Sequence, residues 1–309
     1  MGIMNNQIIL ATGGYDHTIK LWRAETKDCL KTMQHNDSQV NALEITPDKS
    51  LLVAGGYQHI RIYDMVSNTP VMNLEGVSKN ISRIGFQEDG KWLFTGGEDS
   101  RVRIWDMRSQ ICKRAFDCQA PINAVALHPN QVEMVIGAQS GRIYLWDVKS
   151  DAHEQCVPEV EASIQDVAVS PDGQFMAAVN NKGNCYIWSL TSNSETDLSS
   201  LQPKKKIEAH ERYALRCKFS PDSQFLVTCA GDGTAKLWHC PNEFALYRTF
   251  HVDHDAWVWD AAFSADSRRL FTASSDMKAR LWNIDSESNE AELEYIGHQK
   301  PITALAYRE

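Results

Sequence analysis

An imidazole, a carboxylate and a hydroxyl held in line are the parts of an activated nucleophile. The chain carries such a set in His210, Thr228 and Asp232. The same residue types return at the same offsets as His254, Thr272 and Asp276, and again across the two chain ends as His298, Thr12 and Asp16. A tryptophan follows each threonine by ten residues, at Trp238, Trp282 and Trp22. An active site occurs once, so three equivalent copies point to a repeated hydrogen-bond brace rather than to catalysis. In that brace the His is expected to bridge an Asp at a hairpin tip and a Thr inside the sheet, leaving no buried polar group unpaired. The set decays elsewhere: Gln58, Ser140 and Lys182 take the tip position in other repeats, and three repeats lack the histidine.

Other chemical signatures are missing from the sequence. It has no G-x-x-x-x-G-K-[ST], no G-x-G-x-x-G between strand and helix, and no H-E-x-x-H. Its eight cysteines form no C-x-x-C pair, and several sit in apolar strand patterns, so they are expected to be reduced thiols. No catalytic residue, cofactor, metal or small-molecule substrate is expected. A net charge of −9 and a pI near 5.6 argue against nucleic acid and leave proteins as the expected partners. No apolar run is long enough for a membrane helix, and Met1 to Gly14 lacks a secretory signal. Asn6 stands where a myristoylation motif needs Ser or Thr, so no lipid anchor or direct membrane insertion is expected. Asn36 and Asn80 begin N-x-[ST] triplets that carry no weight in a chain expected to stay in the cytoplasm.

The elements that must position these residues follow from a repeat. An apolar residue followed by Trp or Tyr recurs at Trp22, Tyr63, Trp105, Trp146, Trp188, Trp238 and Trp282, at intervals of 41, 42, 41, 42, 50 and 44 residues. This is the period of a four-stranded WD blade, and seven copies make an all-β, seven-bladed propeller. Upstream of each aromatic lies a hairpin tip, as in Gly13-Gly14-Tyr15-Asp16 and Ala230-Gly231-Asp232-Gly233. Further upstream, period-two pairs such as Leu43/Ile45 and Cys217/Phe219 mark an innermost strand. The first blade lacks that strand, and Ile302 to Tyr307 supplies it from the far end of the chain. The expected layout is one domain over 1–309: blade one 8–34 plus 301–309, blade two 35–76, blade three 77–119, blade four 120–160, blade five 161–210, blade six 211–254 and blade seven 255–298.

One insertion stands out, a polar loop at 191–203 between the outer two strands of blade five, ending at Lys204-Lys205-Lys206. The lysines fit an outer edge strand guarded against pairing better than an import signal or acidic-partner patch.

Function in a propeller belongs to its surfaces. The hairpin tips and the starts of the innermost strands are expected on one face around the channel. There Tyr15, Tyr57 and Gln58 sit at the tips of blades one and two. Tyr213 precedes the innermost strand of blade six, and Trp257 and Trp259 bracket Val258 in blade seven. Tyr and Trp dominate binding hot spots, so these residues mark the expected partner-binding arc.

Several strings are more specific than the repeat: AGGYQHIRIYD from Ala54 to Asp64, GNCYIW from Gly183, HERYALRCKFSPDS from His210 to Ser223, and GHQKP from Gly297 to Pro301. In these the whole chain resembles the G-protein-β-like WD-repeat subunits of the TOR kinase complexes. The resemblance implies a noncatalytic subunit of both TOR complexes, docked on an insertion in the TOR kinase domain beside its active-site cleft. It implies contact with other TOR complex subunits through the kinase, support of nutrient and growth signalling, and recruitment with TOR to lysosomal membranes. A heterotrimeric G-protein β subunit would open with a coiled-coil helix, whereas this chain enters a strand pattern by Ile8. A second alternative is a substrate receptor of a cullin-based ubiquitin ligase, on the W-D-x-R match at Trp105-Asp106-Met107-Arg108.

Overall fold

In a computed structural model, residues 9–36, 38–191, 198–253 and 256–308 are described. Alternating apolar and polar side chains in short runs divided by tight turns make every regular element among them a strand, twenty-eight in all. The strands form seven antiparallel four-stranded sheets. In chain order, β1 (Ile9–Gly14), β2 (Thr18–Arg23) and β3 (Cys29–Gln34) belong to the first sheet, and β28 (Ile302–Arg308) completes it on the axial side. The pairing runs from Ile9 opposite Arg308 to Gly14 opposite Ile302, so blade one is built from both ends of the chain.

The innermost strands of the other blades are β4 (Ala42–Ile45), β8 (Ile81–Phe86), β12 (Ile122–Leu127), β16 (Ile164–Val169), β20 (Ala214–Phe219) and β24 (Val258–Phe263). Each contacts the next around the axis, and β24 contacts β28, which closes the ring. Apolar side chains of neighbouring sheets merge between the blades; Ile9, Ile19 and Ala304 of blade one share a core with Val40, Leu43 and Tyr63 of blade two. At the seam, the Tyr295 ring of blade seven packs edge-on against Trp22 at 5.8 Å, and its hydroxyl donates to the Ala24 carbonyl.

Six of the seven innermost strands share an irregularity. Pairing skips Ser82, Asn123, Gln165, Leu215, Trp259 and Thr303, the second residue of each strand. These bulges break the alternation and turn the extra side chain into the channel mouth. In blades three, five, six and seven the following residue, Arg83, Asp166, Arg216 or Asp260, also reaches the channel. Arg83 pairs with Asp166 at 2.8 Å and Arg216 with Asp260 at 2.6 Å. The second carboxylate oxygens accept backbone N–H groups of the next blade, Cys217 for Asp166 and Leu305 for Asp260, both at 2.9 Å.

The polar insertion of blade five is shorter than the sequence suggests, because its flanking strands run to Thr191 and restart at Ser200. Residues 192–197 lie outside the described residues. Ser199 is buried and donates its N–H and hydroxyl to Glu133 of blade four, each at 2.7 Å. The three lysines lie on the outer edge strand; Lys204 stacks over Phe175 at 5.2 Å and Lys206 over Tyr186 at 5.4 Å.

Candidate partner-binding face

Six blades tie the hairpin tip between their second and third strands to the residue just before the innermost strand. Tyr15 N–H donates to Pro301 O at 3.0 Å, Gly231 N–H to Tyr213 O at 2.9 Å, and Ser275 N–H to Trp257 O at 2.9 Å. The approach is close: a Cβ on Gly14 would lie 2.3 Å from Pro301 O, and one on Gly97 2.4 Å from Asn80 O, so only glycine fits. In blade two, Tyr57 N–H instead donates to Ser38 Oγ at 2.9 Å. Tips and strand starts therefore share one face.

Among the described residues, the Asp–His–Thr–Trp brace is complete in two blades. His298 contacts Asp16 at 2.8 Å and Thr12 at 2.7 Å, and Trp22 Nε1–H donates to the same Thr12 oxygen at 2.8 Å. His210 contacts Asp232 at 2.9 Å and Thr228 at 2.8 Å, with Trp238 donating to Thr228 at 3.0 Å. Burial pushes the Asp16 carboxyl upward, but Gln299 N–H, Thr18 and His298 outweigh it and hold the group below its ordinary value. Burial likewise opposes ionisation of Asp232, and His210 and Thr234 overcome it. Burial also pushes the His298 imidazole down, against the pull of Asp16, which keeps the ring neutral at neutral pH. With an ionised Asp at Nδ1, the proton sits there and Nε2 accepts the Thr hydroxyl.

Blade seven adds an arginine to the expected set. Trp282 donates to Thr272 at 2.9 Å, but the Asp276 carboxylate is held by Arg280 at 2.5 Å, and His254 lies outside the described residues. Blade three repeats this arrangement, with Asp99 paired to Arg103 at 2.8 Å and Trp105 on Thr95. An arginine four residues beyond the tip lies on the third strand and reaches back to the Asp, a role that the histidine search could not reveal. Blade five has its own brace: Glu159 accepts from Tyr186, Asn180 and Asn184, with Tyr186 first among the groups that hold its carboxyl down at about 2.

The tip of blade two corrects the sequence register. Gly55 pairs with Ile60 and leaves four residues between them, one fewer than between Gly13 and Ile19. Counting back from Tyr63, Tyr57 occupies the place of the tip Asp. Gln58 is the next residue, in the left-handed conformation at φ 61°, as are His17, Ser100 and Met277 in their blades. Its side chain donates to Ser78 O at 2.8 Å.

The proposed aromatics do gather on this face. Tyr15, Tyr57 and Tyr213 are 39%, 47% and 53% exposed. Trp257 is half-buried, lies against Gly231 of blade six, and meets Tyr213 edge-on at 6.3 Å and Trp259 at 5.3 Å. Trp259 turns inward as the bulged residue of its strand and, with Tyr15, lines the channel mouth; its buried indole N–H has no partner among the described residues. Met277, 42% exposed at the blade-seven tip, extends the apolar arc from blade six to blade two. Only its place after a tip Asp hinted at it. On the opposite side of the blade, Asp106 accepts the N–H groups of Arg108 and Ser109, the same turn that Asp64 and Asp147 make. The W-D-x-R string therefore sits in a turn common to several blades. All eight cysteines are free thiols, and among the described residues no group of three or more His, Cys, Asp or Glu side chains is placed to hold a metal.

Seven closed four-stranded blades, Asp–His–Thr–Trp braces and a face built of hairpin tips define a WD-repeat β-propeller. Residues 201–239 and 245–283 match the WD domain, G-beta repeat, and residues 10–192 match the nucleolar protein 10-like N-terminal domain. The chain is 61% identical over 311 residues to the LST8 homolog of Drosophila pseudoobscura pseudoobscura, covering 99% of this chain and 98% of that protein. It is 53% identical over 316 residues to the target of rapamycin complex subunit LST8 of Mus musculus, covering 99% and 96%. The subunit of the same name from Saccharomyces cerevisiae is 42% identical over 245 residues, covering 78% and 80%. The chain belongs to the LST8 family.

Proposed function

We propose that the chain is a noncatalytic scaffold subunit of TOR complexes that binds and stabilises the TOR kinase domain. Its relatives are named as subunits of the target of rapamycin complex. The observation that carries the reading is the arc Tyr213–Trp257–Met277–Tyr15–Tyr57 on one face of four adjacent blades. Aromatic side chains cover much area for little lost rotamer entropy. The tips that carry most of them are tied down by backbone hydrogen bonds, so little ordering cost remains for docking. A partner bound only in its folded form is stabilised by mass action, which gives a scaffold its effect on a kinase without any chemistry.

The test is affinity capture of TOR by wild type beside Trp257→Ala/Trp259→Ala and Tyr57→Ala/Tyr213→Ala, with thermal melting to confirm folding. Loss of one hot-spot aromatic costs about 2 kcal/mol or more, so each folded double variant is expected to recover TOR at least about tenfold less well. Equal recovery by both variants places the interface elsewhere, and no TOR recovered by wild type refutes the function itself.

A further inference from the structure

The centre of the binding face opens into the channel, and the opening is not electrically neutral. Its mouth encloses about 190 Å³ below the bulged side chains, and the only charged residues lining it, among those described, are Arg83 and Arg216. Asp166, Asp260, Glu44 and Lys218 line the adjoining channel, into which Arg83 and Arg216 also reach. Strand bulges place the two arginines where mouth and channel meet, while their carboxylate partners bind backbone N–H groups of the next blades.

The two arginines differ. Arg83 is fully engaged: Nε and Nη2 donate to Asp166 at 3.1 and 2.8 Å, and Nη1 donates to Ser82 O at 2.8 Å. Arg216 is 6% exposed and donates only Nε, to Asp260 at 2.6 Å, with Asp166 another 3.9 Å away. No hydrogen bond among the described residues holds its Nη1 or Nη2, and neither nitrogen is sealed from the channel. A buried guanidinium whose planar fork is unpaired and open to a concave mouth is shaped to take an oxyanion through two parallel N–H···O bonds.

We propose that the channel mouth is an oxyanion receptor for one carboxylate, an Asp or Glu side chain of the docked partner, clamped by the free fork of Arg216. The inference rests on the docking reading above and adds the chemistry at its centre. Three features favour an inserted side chain. The space suits a single side chain, and Tyr15 belongs both to the mouth and to the aromatic arc, which Trp259 also meets through its ring contact with Trp257. Leu215 and Trp259 supply an apolar wall that excludes water once the arc is covered, which is where charge-assisted bonds contribute most.

Leu215→Glu places a carboxylate of the chain's own over Arg216, Leu215→Gln is its uncharged match, and Arg216→Lys keeps the charge beside Asp260 but removes the fork. All are compared with wild type in TOR capture and melting. Capture is expected to fall roughly tenfold further in Leu215→Glu than in Leu215→Gln, and roughly tenfold below wild type in Arg216→Lys. Equal capture by Leu215→Glu and Leu215→Gln overturns the proposal while leaving the docking reading intact. Sodium phosphate, against chloride of equal ionic strength, tests the receptor without a partner. The wild-type melting temperature is expected to rise with phosphate, and that of Leu215→Glu and Arg216→Lys to stay unchanged. No wild-type rise, or the same rise in both variants, overturns the receptor. A phosphate effect with unaltered capture makes a free anion the occupant and overturns the partner's carboxylate. If wild type captures no TOR, the function has failed, and the phosphate comparison still decides the receptor.

Discussion

Glu44 shows how much a channel wall alters one side chain. It lies partly buried on β4 with Asp260 among its neighbours, and burial raises its carboxyl to about 7 against the opposing pull of Lys218 and Arg308. The folded state therefore holds a proton that the unfolded chain, titrating near 4.5, has released. A folded pKa above the unfolded one contributes stability that is fully present below about 4.5 and is lost as pH rises through about 7. Glu44→Gln removes that loss. Relative to wild type, the variant is expected to gain roughly 1–2 kcal/mol between pH 5.5 and 8.5, read from denaturant midpoints at the two pH values. A difference between the two proteins that does not change with pH places Glu44 in contact with bulk water.

At the scale of the blade, the recurring problem is to hold a hairpin tip against its own sheet. Blades one and six solve it with His between Asp and Thr, blades three and seven with Arg four residues after the Asp, and blade five with Glu159. Each solution anchors the tip to groups the sheet or a neighbouring loop already supplies, so the tip enters the candidate face at a set height. Asp232→Ala leaves His210 Nδ1 and Thr234 with one partner fewer in a buried setting and is expected to cost about 1–3 kcal/mol. A urea midpoint unchanged from wild type would show that water replaces the carboxylate freely. The sequence made the histidine brace visible because its spacing repeats. It hid the arginine form, because Arg103 and Arg280 read as ordinary alternating strand residues until their tips are seen beside them.

For the molecule as a whole, β28 is the closure. Its backbone pairs with β1, Leu305 N–H binds Asp260 of blade seven, and Thr303 donates to Val40 O of blade two. Ile302 and Leu305 are buried between blades one and seven. Their burial alone contributes about 1.5–3 kcal/mol each. Deletion of residues 301–309 removes all of this and leaves β1 as an open edge. The truncated chain is expected to melt at least about 10 °C lower, with the whole ring affected, since two such side chains alone represent several kcal/mol. A melting curve that matches the full chain would refute closure by this strand.

The number of blades, the strand type, the sharing of blade one between the chain ends and the face that carries the tips were all legible in the sequence. They depend on a repeated Trp, a period of two and turn residues, which are local and reinforce one another seven times. What only the tertiary structure decided depends on residues far apart in the chain meeting at the axis. Arg83 finds Asp166 eighty-three residues away, and a bulge of one residue chooses which side chains face the channel. Met277 joins the arc, Gln58 cedes the Asp place to Tyr57, and Arg216 keeps its fork unpaired, because each outcome depends on register and ring closure. A one-residue shift in a strand reverses which side faces inward, and sequence periodicity cannot report it.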